Sequence, residues 1–509
     1  MNVASSVTKP LKVLMDLRTT LTGHSGISQE TRLLFSSFQD IDCANVYGLI
    51  NKDLDAIGKA LPLKWRDREI PSLKKYGNLS RFLLSLNKRP DTQFPSYAKR
   101  YLLRRLDALR LSARGRLNIY QKLTYLEALA FGDCIWEMMF SKSLPISDWD
   151  RVVNAQYRVL GAPYFSMHHA GLVPGGDYPV IDTRGFDALL CPNPYPARPA
   201  PGTQLIIRYH DAIPMFFPHF IPDFRFHQRS HASALRSNAR NGIFVCTTDA
   251  VRSDLLTLFP EVEARSCTIH DMVSHNYYAE VVEKRQICEI VRSRLFDATE
   301  PKFLTLLDKK LFYDKYIRAD NFEYLLYVSV IDPRKNHQRL IRALEIVQQR
   351  CSEHLKLVFV GYPGQSVDKV LTAMQVLQRR GQLFHLSDLS SDELRTLYAG
   401  AECTVCPSIA EGFDLSGIEA MQSGGVVATS DTAVHREVYG DASVYFDAYS
   451  ISAQAKAIES VIHPDRRGFR EELRRKGAIH AQQYSRERIS DKWTAFFEDL
   501  RSRSAVAAE

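Results

Sequence analysis

The chain has 509 residues, 45% of them apolar and 24% charged, with a formal net charge of +8. These are the proportions of an ordinary soluble globular protein with room for two large domains or three smaller ones. They exclude a membrane-crossing helix, since no run of about 18 uncharged apolar residues occurs. The start, MNVASSVTKPLKVLMD, lacks the basic opening and long apolar core of an export signal, so cytoplasmic residence is the expectation.

The nine cysteines, at 43, 134, 191, 246, 267, 288, 351, 403 and 406, are odd in number and scattered, which argues against a disulfide framework. Cys403-Thr-Val-Cys406 is the one close pair, and it reads as two small buried strand residues before a zinc or redox site. The charge is unevenly spread. Residues 61 to 130 hold 16 Lys and Arg against 5 Asp and Glu, a local +11 that leaves the rest of the chain at −3. Such a region faces phosphates, an anionic membrane surface or nucleic acid, and the last ranks lowest because no nucleic-acid motif accompanies it.

In chain order, LKVLMDL at 11 to 17 predicts a buried strand, and TTLTGHSGISQETRLLFSSF turns through Gly23 and Gly26 into a helix from near Ser28. Strand, glycine-containing loop and helix open a Rossmann-like layer. The two glycines suit either a plain turn or close approach of backbone to a ligand. From 60 to about 165 the rhythm breaks. SYAKRYLLRRLDALRL and NIYQKLTYLEALAF are read as basic amphipathic helices, an insertion that either packs on the core or meets anionic lipid or a lipid-linked substrate. Strands then follow at ALLCPNP, QLIIRYHD and GIFVCTTD, each apolar and ending in polar residues.

A second alternating series starts with EYLLYVSV at 323 to 330 and a helix over 337 to 349. It continues through LKLVFVG, a helix over 368 to 380, QLFHLSDLS, a helix over 391 to 399 and ECTVCPS. The expected organisation is an N-terminal Rossmann-like domain over 1–312, with the insertion at about 60–165, and a second Rossmann-like domain over 313–480. A helix over 481–509, carrying Trp493, Phe496, Phe497 and Leu500, is expected to pack back on the first domain. Two such α/β domains make a cleft.

Arg334 and Lys335 follow a strand immediately, where a loop holds them over the cleft, and adjacent cations suit a diphosphate. EGFDLSGIEAM, 411 to 421, adds a glycine turn and a helix start whose free amides attract phosphate oxygens. Glu411 and Glu419 then suit a sugar hydroxyl and a vicinal diol, and acid–base work as in a hydrolase is the alternative. His210 and Asp211 end a first-domain strand, where the histidine can donate a hydrogen bond to a substrate or serve structurally; a metal there is disfavoured. His168, His169 and His219 have no assignable spacing. No carboxylate cluster demands magnesium.

These residues resemble a known family. EGFDLSGIEAMQSGG resembles the E-x7-E signature of retaining family 4 glycosyltransferases with the GT-B fold, and SVIDPRKNHQRLIRAL resembles their P-R-K-N segment. SDLSSDELRTLYAGAECTVCPS and HREVYGDASVYFD follow in the family's order. The match is good over about 323 to 447, partial at 11 to 35 and 204 to 255, and poor from 60 to 165.

The resemblance implies transfer of a sugar from a nucleoside diphosphate donor to an acceptor hydroxyl, with retention and with no protein nucleophile, 1–312 being the acceptor-side domain and 313–480 the nucleotide-sugar-binding domain. It implies that Arg334 and Lys335 neutralise the diphosphate and that Glu411 orients the donor sugar. It further implies that the backbone of Gly412, Phe413, Asp414 and Leu415 meets phosphate and sugar oxygens, that Glu419 binds ribose, that His210 lies near the reacting face, and that Gly23 to Gly26 close over the phosphates. Three departures stand out: Ser329-Val330 replaces a Gly-Arg pair, Asp414 and Ser416 replace the Gly and Pro of E-G-F-G-L-P, and Val426 replaces a proline.

The R-K-N variant with His210-Asp211 resembles bacterial enzymes of lipopolysaccharide O-antigen, capsule or exopolysaccharide assembly. That implies GDP-mannose as donor first and a rhamnose nucleotide second, with no tightly bound cofactor and no required metal. It further implies a glycan or lipid-diphosphate-linked oligosaccharide acceptor, and peripheral attachment to the inner face of the cytoplasmic membrane. Alternatives are a soluble retaining synthase or phosphorylase with a small acceptor, and a noncatalytic sugar-nucleotide or glycan-binding protein. Oligomeric state is left open.

Overall fold

The computed structural model describes residues 9–506 apart from 22, 24, 222, 365–366 and the stretch 52–95, within which 77, 80, 83 and 86 are described. Eight strands build the first sheet: β1 (Leu11–Asp16), β2 (Ala44–Ile50), β3 (Leu123–Leu126), β4 (Tyr157–Leu160), β5 (Ala188–Cys191), β6 (Gln204–Tyr209), β7 (Ile243–Cys246) and β8 (Ser266–Thr268). Their order is β3-β4-β2-β1-β5-β6-β7-β8, parallel except where β3 runs against β4. The central strands are near-continuous apolar runs because both faces are covered. Leu14, Leu49, Leu189 and Ile207 face one core, while Val13, Met15, Leu190 and Ile206 face the other.

Helix α1 (Gly26–Phe38) follows β1 and starts where the Ser25 hydroxyl accepts the Ser28 amide proton. It buries Leu33, Leu34, Phe35 and Phe38 in the second of those cores. Helix α2 (Ser96–Arg116) packs against α3 (Tyr164–Ala170).

The stretch 118–131, read above as helix, instead supplies edge strand β3, with Tyr125 opposite Arg158 and Leu123 opposite Leu160. The open edge of β4 offers backbone partners that an isolated short helix lacks, and that pairing decides the conformation. Of the 60–165 region, therefore, 123–126 and 157–160 belong to the sheet. The expected helices over 337–349, 368–380 and 391–399 occur as His337–Arg350, Asp368–Arg379 and Ser391–Gly400.

The second sheet has six parallel strands: β9 (Tyr324–Val328), β10 (Lys356–Val360), β11 (Leu383–Leu386), β12 (Cys403–Cys406), β13 (Val427–Ser430) and β14 (Ser443–Phe446). Their order, β11-β10-β9-β12-β13-β14, is the doubly wound one, and it reverses between β9 and β12. In open α/β sheets ligands bind at that reversal, outside the carboxyl ends of the strands. The loops leaving β9 and β12 there lead into α4 (His337–Arg350) and α5 (Leu415–Gln422), and α6 (Ala433–Tyr439) follows β13. Cys403 and Cys406 are buried, unpaired residues of β12.

The two halves are tied together. Glu437 of α6 accepts the amide protons of Asp249 and Ala250 (2.7 and 2.9 Å), at the start of the helix Asp249–Leu258, and meets His270 Nε2 at 2.9 Å. Acceptors are favoured at a helix start, where amides lack partners. The last helix, α7 (Arg486–Val506), crosses back to the first half. Its Trp493 and Phe497 rings meet the Phe38 ring edge-on at 5.2 and 5.4 Å, and Arg486 reaches Asp148 at 3.0 Å. No described helix is long and apolar enough to cross a membrane.

Candidate active site

At the β9–β12 reversal the chain turns tightly. Asp332 accepts the Arg334 amide proton (3.0 Å), and Asn336, in the left-handed conformation, donates to the carbonyls of Pro407 (3.0 Å) and Ala448 (2.8 Å). The Ile409 amide closes the two loops on each other through the Arg334 carbonyl at 2.8 Å. Arg334 Nη1 donates to the Ala410 carbonyl at 2.9 Å and to Glu411 Oε2 at 2.8 Å, while Lys335 Nζ pairs with Oε1 of the same carboxylate. The Glu411 side chain is largely buried, and that opposes its charge, but Arg334 and Lys335 outweigh it and hold the carboxyl below its ordinary range. Both cations line the cavity, with Glu411 shared between them.

Gly412 comes next because nothing larger fits. A Cβ there would collide with the carbonyl oxygen of His210, at the end of β6 in the other half. Thr247 and Thr248 hydroxyls donate to the Gly412 carbonyl at 3.0 and 3.3 Å. Phe413 is buried, its ring edge-on to Tyr484 at 5.3 Å.

Asp414 has φ +75°, a left-handed conformation that a glycine adopts without strain and that Asp tolerates better than most residues. Its carboxylate accepts from the Ser416 hydroxyl at 2.6 Å and lies 3.3 Å from His435 Nε2. Despite burial, those contacts and Lys335 hold it well below the usual carboxylate range. The Asp-for-Gly and Ser-for-Pro departures are therefore one paired substitution, anchored on His435.

Glu419, on α5, accepts from Tyr398 (3.0 Å) and, across the cleft, from Gln29 Nε2 of α1 (2.6 Å). Burial raises its pKa to about 7, with the two donors opposing.

From the first half, Gly26 lines the cleft with Ser25, Ile27 and Gln29, whereas Gly23 does not; its carbonyl accepts from Arg32 Nη2 at 3.1 Å. His210 and Asp211 line the same cavity, of about 370 Å³, as do Arg334, Lys335, Glu411 to Leu415 and Glu419. Burial raises Asp211, with Arg334 opposing. His210 Nε2 lies 3.3 Å from Glu30 Oε2, and burial pulls the imidazole to about 4, partly offset by that carboxylate.

Behind them Arg208 bridges Glu30 (2.5 Å) and Asp271 (2.6 Å). Arg208 and His210 keep Glu30 low despite burial, while burial and the Glu30 charge push Asp271 well up. Glu30, His210 and Asp271 are close enough together to suggest a metal site. The Arg208 guanidinium already supplies the positive charge those carboxylates need, so the trio does not fit an added cation.

Sequence reasoning missed Gln29, Glu30, Arg208, Asp271, His435 and Lys142, a further cation lining the cavity. Arg208 carried a signal: an arginine inside the buried strand QLIIRY demands a buried acid. The other five carried none that spacing exposes.

Residues 308–480 match the family described as Glycosyl transferases group 1. The chain is 31% identical over 162 residues to the O-antigen chain mannosyltransferase B of Escherichia coli, covering 32% of this chain and 42% of that protein. It is 30% identical over 147 residues to the O-antigen chain mannosyltransferase RfbU of Salmonella typhimurium, covering 28% and 40%. The match thus spans about two fifths of these relatives' length.

Among solved structures, a sucrose-phosphate synthase from Thermosynechococcus elongatus superposes with a TM-score of 0.56 at 13% identity, over 97% of this chain and 100% of that one. HepE of Anabaena, in complex with UDP and glucose, gives 0.52 at 12% identity, over 96% and 100%. Together these show the GT-B fold for the chain and, over residues 308–480, a match to the group 1 glycosyl transferases, with similarity to the O-antigen mannosyltransferases over about a third of the chain.

Proposed function

We propose that the protein is a retaining hexosyltransferase that moves mannose, with rhamnose the next choice, from a nucleoside diphosphate donor to a growing polysaccharide or lipid-linked oligosaccharide. One observation carries the reading: Arg334 and Lys335 share Glu411 at the sheet's reversal point, in a cavity whose far wall is His210. Charge that develops on a departing diphosphate is stabilised by preset donors in a site closed to water. Arg334 and Lys335 are those donors, Glu411 orients the donor sugar, and Glu419 takes the ribose in place of Gln29. GDP is the favoured base, because the similar proteins of Escherichia coli and Salmonella typhimurium are O-antigen chain mannosyltransferases.

A membrane-bound acceptor is supported by α2, which exposes Leu102, Leu106 and Leu109 beside Arg105 and Arg110. These leucines recur at one helical face, and basic flanks suit anionic headgroups. A thermal-shift comparison of GDP, UDP, TDP and ADP tests the donor. Selective stabilisation by GDP is expected; no stabilisation by any of the four would end the reading.

A further inference from the structure

We propose that Glu30 is the positioning residue for His210: it holds the imidazole as the Nε2–H tautomer and leaves Nδ1 to accept a hydrogen bond in the cleft. The effect on turnover rests on the transferase reading, whereas the tautomer does not.

Glu30 is locked from behind. Its Oε1 accepts from Arg208 Nε (2.8 Å) and Nη2 (2.5 Å), which leaves Oε2 to face His210 Nε2 at 3.3 Å. Arg208 is itself fixed by Asp271 at 2.6 Å and by the carbonyls of Ile269 (2.5 Å) and Cys246 (3.0 Å), so the carboxylate cannot swing away. The His210 backbone is fixed as well, since its carbonyl accepts from the Thr247 hydroxyl at 3.1 Å and abuts Gly412. Glu30 and Arg208 are both nearly fully buried, which makes this a dry contact with no water to substitute for either partner.

The 3.3 Å approach falls short of a hydrogen bond, but a lone pair on Nε2 would there face the negative carboxylate, so a neutral imidazole carries its proton on Nε2. Nδ1 then carries the lone pair. No described residue bonds Nδ1, and His210 lines the cavity that holds Arg334 and Glu411. The expected role of His210 as a donor is therefore inverted: toward the cleft it accepts, and a hydroxyl of a bound sugar is the group that can give it a proton to share. The groups facing the ring are Glu30 from α1, Arg208 from β6 and Asp271 from the segment after β8, whose pKa burial and the Glu30 charge push well up; the C-terminal half presents the uncharged Gly412.

The substitution Glu30→Gln inverts the arrangement. Its amide oxygen stays with Arg208 and its NH2 faces His210, so Nε2 must accept and the ring becomes the Nδ1–H tautomer. Long-range proton–nitrogen spectra of the full chain labelled in its histidines, with His210→Gln assigning the resonance, read the tautomer without any substrate. The wild type is expected to show Nε2–H and Glu30→Gln to show Nδ1–H. Wild-type Nδ1–H, or no change in the variant, overturns the proposal.

In transfer assays kcat of Glu30→Gln is expected to fall by about tenfold or more, with nucleoside diphosphate affinity within about twofold of wild type. Unchanged kcat, or a loss of affinity and thermal stability together, overturns the positioning role. A wild type with the predicted tautomer but no transfer would instead count against the function proposed above and leave the tautomer assignment standing.

Discussion

Gly412 and the carbonyl of His210 lie in such contact that no side chain fits between them, and they belong to opposite halves of the protein. The closed arrangement thus depends on a missing Cβ. Gly412→Ala is expected to force the halves apart while leaving each sheet intact. Transfer should fall by about 100-fold, as small misplacements near reacting groups do, and the radius of gyration in solution should rise. Wild-type activity with an unchanged scattering curve would show that the contact is not part of the working state.

Glu411 sits between Arg334 and Lys335, where it competes with any anion for both cations. Glu411→Gln is therefore expected to bind nucleoside diphosphate at least as tightly as wild type, yet to lose transfer by about 100-fold or more. Calorimetry and initial rates separate the two effects. A variant that loses diphosphate affinity but keeps its turnover would reverse the assignment.

Glu419 gives a pH signature. Its folded pKa of about 7 lies above its ordinary value of 4.5, so the folded state holds a proton that the unfolded chain has released. Its contribution is therefore complete below about pH 4.5 and is lost as pH rises toward 7, by roughly 3 kcal/mol at most. Glu419→Gln removes that dependence and keeps partners for Gln29 and Tyr398. The variant is expected to match wild type in thermal stability at pH 5 and to exceed it at pH 8. Parallel curves at the two pH values would contradict the raised pKa.

What the sequence disclosed depends on how far apart the partners are in the chain. Arg334, Lys335 and Glu411 were readable because each leaves a parallel strand at its carboxyl end, and topology alone brings those loops together. The Glu30–His210 and Gln29–Glu419 pairs were not, because they join α1 to residues about 180 and 390 positions away and nothing local marks them.

In the sequence Asp414 stands only as a departure from the glycine of E-G-F-G-L-P. The backbone conformation explains the glycine habit at that position, and His435 explains the carboxylate. The strand at 123–126 was missed because its periodicity is too short to read and its pairing with β4 decides it.

The exposed leucines of α2 make a separable prediction. Wild-type protein is expected to float with anionic vesicles at low salt and to be released as salt rises. Leu102→Asp with Leu106→Asp should abolish flotation while leaving nucleoside diphosphate affinity as it was. Flotation unaffected by these substitutions, or its absence in the wild type, would remove the membrane from the account.

The most direct test of the central claim is isothermal calorimetry of GDP binding to wild type and to the double variant Arg334→Ala, Lys335→Ala. Hydrogen bonds to charged groups contribute about 1.5–3 kcal/mol each, so the account predicts a loss of affinity of at least about 100-fold with folding retained. Equal affinity in the two proteins would contradict it.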